Sequence, residues 1–135
     1  RYFKPKGFEV YRGKIIYEWM GIRIYKKYVP TTGDLIRKRR NITQIKISDS
    51  DKLEEIYKYE RKTRNYEWRH ILGAILFILL TAMLDIKLSL FDWIFLPLLN
   101  LYLNIYPVFL QRYNRIRIIR LLKNYGKPSP YDDLT

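Results

Sequence analysis

Cysteine is absent from the 135 residues. That removes disulfides, thiolate metal ligands and any thiol nucleophile. Histidine occurs once, as His70, so the chain cannot build a multi-histidine zinc site, and no metal site is expected. Acidic residues are scarce: 13 Asp and Glu face 26 Lys and Arg, leaving a formal charge of +13. Such an excess calls for an anionic partner, whether nucleic acid, a membrane surface or a phosphate-bearing substrate. Charge itself is missing from two stretches, residues 71–84 and 93–110, and these decide the class of the protein. The length suits one domain, residues 1–135.

A helix that crosses a membrane needs about 20 apolar residues for a hydrocarbon core of about 30 Å. The two uncharged stretches are slightly short of that. Trp68 before the first, and the apolar residues around 88–91 after it, extend the apolar length. Arg69 and Lys87 can snorkel toward headgroups. The alternative is a buried hairpin in a soluble protein. It would require the remaining charged segments to cover two helices that are apolar all round. The flanks favour the membrane. Lys58, Arg61, Lys62, Arg64 and Arg69 precede the first stretch, and Arg112, Arg115, Arg117, Arg120 and Lys123 follow the second. Asp85, Lys87 and Asp92 leave the connector nearly neutral. Because positive residues stay cytoplasmic, the pattern predicts a hairpin with both ends in the cytoplasm. Thirteen tyrosines suit the membrane–water boundary. Nucleic-acid binding does not predict basic clusters at the ends of apolar runs, and no nucleic-acid partner is expected.

Three parts follow: an interfacial or cytoplasmic segment 1–50, a helical hairpin 51–126 and a polar tail 127–135, expected to be poorly ordered. In residues 8–28, Phe8, Tyr11, Ile15, Trp19, Ile22 and Tyr25 recur at three- or four-residue spacing. That predicts an amphipathic helix, with Arg12, Lys14, Arg23, Lys26 and Lys27 on its basic remainder, able to lie among headgroups. Packing against its own domain explains the pattern equally well. Pro30 and Gly33 end it. Arg37, Lys38, Arg39 and Arg40 form a basic run suited to phosphate or anionic lipid. Ile42, Ile45 and Ile47 suggest a short extended stretch. One helix is expected from about residue 51 through the first uncharged stretch, capped by residues 48–51. Another is expected over about 92–124, kinked by Pro97 and Pro107 and stopped by Gly126 and Pro128. The predicted fold is an all-α membrane protein: a transmembrane helical hairpin with long cytoplasmic helix extensions and an N-terminal interfacial amphipathic helix. Its state of association is left open, a homo-oligomer included.

Two constellations can carry chemistry. Glu60, Thr63, Glu67 and His70 fall on one helix face. Glu67, one turn from His70, can accept a proton from one ring nitrogen and orient the other as a general base. The plainer reading is an interfacial Glu–His pair that only orients a helix. On the last helix Asn100, Asn104, Gln111 and Arg115 form a stripe. Polar groups in a membrane helix must find a partner, so the stripe should face the protein interior, as substrate contacts or as hydrogen-bonding glue between helices. Gln111, Arg112, Asn114, Arg115 and Arg117 then crowd the membrane surface. Arginine binds phosphate through paired hydrogen bonds, although a plain positive anchor uses the same residues.

The run from Asn104 through Pro107 and Gln111-Arg-Tyr-Asn-Arg115 to Arg117, with Glu67-Trp-Arg-His70 upstream and Thr63 and Arg64 before it, resembles the glycosyl-4,4'-diaponeurosporenoate acyltransferases. These are small bacterial membrane proteins that acylate a sugar hydroxyl on a carotenoid glycoside. The resemblance covers roughly residues 8–126 and is strongest from Glu60 onward. It implies a fatty acyl transfer to a hydroxyl of a glycosylated lipid or carotenoid, with acyl-CoA or acyl carrier protein as co-substrate and no bound cofactor. His70 and Glu67 would be catalytic. Asn104 and Gln111 would bind substrate or the developing oxyanion, and Arg112, Asn114, Arg115 and Arg117 would bind substrate and its phosphates. The competing class is a non-enzymatic membrane subunit, scaffold or anionic-lipid-binding protein.

Overall fold

A computed structural model describes residues 2–28, 50–83 and 88–132. The basic run 37–40, the isoleucines at 42, 45 and 47, the expected cap at 48–49, and Asp85 and Lys87 of the connector lie outside the described residues. A 3₁₀ turn at Gly7–Glu9 leads into a small hairpin of β1 (Val10–Tyr11) and β2 (Lys14–Ile15). Two short helices follow, α1 (Ile16–Trp19) and α2 (Ile22–Tyr28). The long helices are α3 (Ser50–Met83), α4 (Leu90–Asn100) and α5 (Tyr106–Asn124), with a π-helical turn at Leu101–Ile105 joining the last two.

The single amphipathic helix expected over residues 8–28 is not what forms. Two left-handed residues in succession, Arg12 at φ 48° and Gly13 at φ 77°, make the two-residue turn that matches strand twist. Val10 then pairs with Ile15, and Tyr11 with Lys14. Gly21 at φ 76° ends α1, since a left-handed residue just past a helix closes it at little steric cost. The periodic apolar residues consequently part ways. Ile15 and Ile22 are buried, while Phe8, Tyr11 and Trp19 are exposed. The buried ones join Tyr17, Leu110, Tyr113 and Ile116 in a cluster that seats the N-terminal module on α5. A second cluster, Ile56 with Ile118 and Leu122, holds α3 against α5.

Helix α3 has 34 residues, about 50 Å at 1.5 Å per residue, longer than a hydrocarbon core needs. Two segments, Leu53–Met83 and Leu90–Asn124, are long and apolar enough to cross a membrane, and only 11% and 17% of their most apolar windows is buried within the protein. Leu72, Leu76, Ile78, Leu79 and Leu80 of α3, and Leu90, Trp93, Ile94 and Leu98 of α4, are exposed. The core helix of a soluble domain would bury such a face, so the outward leucines fit lipid as solvent.

Both prolines lie within one continuous helical run. Ser89 caps its start, accepting from the Asp92 N–H at 3.2 Å while the Asp92 carboxylate accepts from the Ser89 N–H at 3.0 Å. The π turn ends two residues before Pro107. The Tyr106 N–H reaches back to the Leu101 carbonyl, and in that wider register Pro107 has no N–H for the carbonyl of Tyr102. The Tyr25 hydroxyl of α2 donates to it instead, at 3.2 Å. At the other end Gly126 (φ 62°) closes α5. Its N–H donates to the Lys123 carbonyl at 3.0 Å and that of Lys127 to Leu122 at 2.9 Å, the paired bonds of a Schellman cap. The tail expected to be loose returns to α3 over residues 128–132. The Tyr57 hydroxyl donates to the Pro128 carbonyl at 2.6 Å, and Tyr131 is 5% exposed.

Candidate functional site

Helix α3 presents Glu60, Thr63 and Glu67 on one face, and α5 answers with Arg112 and Arg115, one turn apart. All five are buried. Arg112 donates through Nη1 to Glu67 Oε1 at 2.9 Å and through Nε to Glu9 Oε1 at 2.5 Å. Glu9 stands at the end of the 3₁₀ turn, where it also accepts from the Lys6 N–H at 2.6 Å and from the Tyr17 hydroxyl. One guanidinium thus joins the N-terminal module to both long helices. Arg115 places Nη2 2.6 Å from Glu67 Oε2 and Nε 3.5 Å from Glu60 Oε1. It also donates to Thr63 Oγ1 at 3.3 Å and to the Phe3 carbonyl at 3.2 Å. Glu60 is held further by Arg64 at 3.1 Å and by the Tyr131 hydroxyl. Tyr2 and Phe3 lay their rings over the guanidiniums of Arg112 and Arg115, 5.4 Å and 5.2 Å away.

The cluster balances itself, with three carboxylates (Glu9, Glu60, Glu67) against three guanidiniums (Arg64, Arg112, Arg115). Buried charge is tolerable only when paired in this way. The 2.6 Å contact between Arg115 and Glu67 is close but poorly aligned for a hydrogen bond, and Glu67 Oε2 and Arg115 Nε have no aligned partner. It is therefore an ion contact more than a directional bond. Burial alone would raise the Glu9 carboxyl, but Arg112, the Tyr17 hydroxyl and the Lys6 N–H outweigh it and hold Glu9 below the usual carboxylate range. Burial and the neighbouring Glu9 push the Tyr17 phenol up. Burial and Glu60 do the same to Tyr131.

The structure brings three of the sequence-derived candidates together: Glu67, Arg112 and Arg115. It leaves His70 apart from them. His70 lies one turn beyond Glu67 on α3 and is half-buried, while the Glu67 carboxylate is directed to the two arginines. Arg112 and Arg115, expected to meet phosphate, face carboxylates, with 9% and 1% of their surface exposed. Asn104 donates to Asn100 Oδ1 at 2.7 Å, and Asn100 donates to the Ala74 carbonyl at 3.4 Å. This amide pair fastens α4 and the π turn to α3 in the manner of intramembrane glue. Gly73 makes room for it, since a Cβ there would come 2.8 Å from Asn104 Oδ1. Gln111 and Asn114 are half-buried on α5. Arg117 is exposed, its guanidinium 5.6 Å over the Tyr113 ring.

Glu9, Tyr17 and Tyr131 were not singled out by spacing. One hint was present: no acidic residue occurs between 93 and 131, so arginines buried on α5 had to find carboxylates elsewhere in the chain.

The family model for glycosyl-4,4'-diaponeurosporenoate acyltransferase matches residues 1–124. The chain belongs to this family. No curated protein and no solved structure matches it. For this glycosyl-4,4'-diaponeurosporenoate acyltransferase family member, the matched region contains the N-terminal module, both candidate spans and every member of the buried network except Tyr131. The family takes its name from an acyltransferase.

Proposed function

We propose that the protein is a membrane acyltransferase that moves a fatty acyl group onto a hydroxyl of a glycosylated lipid or carotenoid. The observation that carries this reading is the family match over residues 1–124, combined with two helices long and apolar enough to span a membrane. In this reading the hairpin sits in the bacterial inner membrane with its basic ends in the cytoplasm. The N-terminal module lies at the interface, with Phe8, Trp19 and Ile24 toward lipid and Lys26 and Lys27 toward headgroups.

His70 is the base. Its free ring nitrogen takes the proton of the acceptor hydroxyl. The oxygen attacks the thioester carbonyl carbon of acyl-CoA or acyl carrier protein, a C–O bond forms, the C–S bond breaks, and the thiolate leaves to be reprotonated. Gln111 donates to the developing oxyanion, while Asn104, held to Asn100, positions the facing helix. Asn114 and the exposed Arg117 meet the donor's polar and phosphate groups. Glu67, Arg112 and Arg115 act as positioning residues: their ion contacts fix the register of α3 against α5 and so place His70.

A second reading, a non-enzymatic membrane subunit or scaffold, is favoured by one observation: Arg112 and Arg115 are neutralised from within and hold helices together. Membranes carrying the protein, supplied with labelled acyl-CoA or acyl carrier protein and a glycosylated acceptor, separate the two readings. The enzyme yields O-acylated acceptor above membranes that lack the protein. No product with either donor leaves the subunit reading standing and overturns the first.

A further inference from the structure

A groove of about 540 Å³ runs along the outer face of α3, lined by Arg69, Leu72, Gly73, Ile75, Leu76 and Leu79. Its wall is alkyl except at one end, and no ring intrudes. The length is informative. Ten residues separate Arg69 from Leu79, about 15 Å of helix, which is half of a hydrocarbon core of about 30 Å. The groove is therefore one leaflet long.

Its single cation stands at the end away from the membrane centre. The Arg69 guanidinium lies 6.0 Å over the Tyr66 ring, beside the exposed Trp68, at the level where aromatic side chains mark the boundary of a bilayer. Arg64, Arg112 and Arg115 each meet a carboxylate, but among the described residues none pairs with Arg69. An unpaired guanidinium beside an alkyl groove one leaflet deep complements a phosphate joined to a fatty chain.

We propose that this groove seats one anionic glycerophospholipid, its phosphate on Arg69 and one acyl chain along Leu72, Gly73, Leu76 and Leu79. The proposal rests on the membrane reading above but not on His70 or on acyl transfer.

The test uses the full chain extracted from vesicles of phosphatidylglycerol in a mild detergent and weighed intact by native mass spectrometry. The wild type retains one more phosphatidylglycerol than Arg69→Gln, which removes the charge, and one more than Leu76→Trp, which fills the groove at a position already 56% exposed. Arg61→Gln, an exposed arginine elsewhere on α3, retains as much as the wild type. Equal retention by the wild type and both groove variants overturns the proposal. So does equal loss in Arg61→Gln, which would mark mere nonspecific charge attraction. His70→Ala keeps the lipid whatever its effect on acyl transfer, so failure of the groove and failure of the enzyme reading are told apart.

Discussion

The Glu67 carboxylate of α3 lies 2.6 Å from the Arg115 guanidinium of α5, and both side chains are almost wholly sealed from solvent. Removing one partner of such a pair leaves an uncompensated buried charge, which costs about 3–5 kcal/mol. Glu67→Ala and Arg115→Ala should therefore each lower the thermal midpoint in detergent sharply. The double variant should lose less than the sum of the two, because the stranded charge goes as well. Additive losses would mean that the pair is not coupled.

Acid should act through Glu9. Its pKa is lowered in the folded protein by Arg112, Tyr17 and Lys6 against the opposing effect of burial. A carboxyl depressed in this way contributes stability that is complete above its unfolded value, about 4.3, and is lost as pH falls through the lower folded value. Melting followed from pH 6 downward should show a fall in the midpoint beginning near pH 4, with a shallower slope in Glu9→Gln. Tyr17 runs the other way. Its pKa is raised by burial and Glu9, so its contribution is complete below about pH 10 and is lost only as pH rises through the higher folded value.

Gly73 should tolerate no side chain without a response from Asn104. The alanine Cβ would lie 2.8 Å from Asn104 Oδ1, and overpacking of this kind costs about 1–3 kcal/mol. Gly73→Ala should destabilise the hairpin, and Asn104→Ala added to it should recover part of the loss. A Gly73→Ala protein with an unchanged melting curve would show that the two helices are not so closely apposed.

The long helices were legible in the sequence because two long runs without charge leave few alternatives. The order of the N-terminal module was not. Phe8, Tyr11, Ile15, Trp19, Ile22 and Tyr25 fit helical spacing, yet Arg12, Gly13 and Gly21 adopt left-handed backbone that a periodicity count does not weigh. Spacing also placed Glu67 one turn from His70 without revealing a stronger claim on that carboxylate. Ion pairs such as Glu9 with Arg112, separated by 103 positions, come from tertiary packing and leave no local pattern. The same holds for Tyr131 on Glu60.

Trp19, 70% exposed, reports whether the N-terminal module meets lipid. In a protein with Trp68→Phe and Trp93→Phe, its fluorescence in vesicles should be quenched by brominated lipids and protected from aqueous iodide. Iodide quenching as efficient as that of free tryptophan would place the module away from the membrane.

The reaction itself is tested most directly at His70. The measurement is the initial rate of acyl transfer to a glycosylated acceptor by His70→Ala in membranes, at protein levels and melting temperature matched to the wild type. Loss of a general base lowers such a rate by about 10²–10⁴-fold, and that is the predicted result. A variant as fast as the wild type would contradict the assignment of His70 as the base.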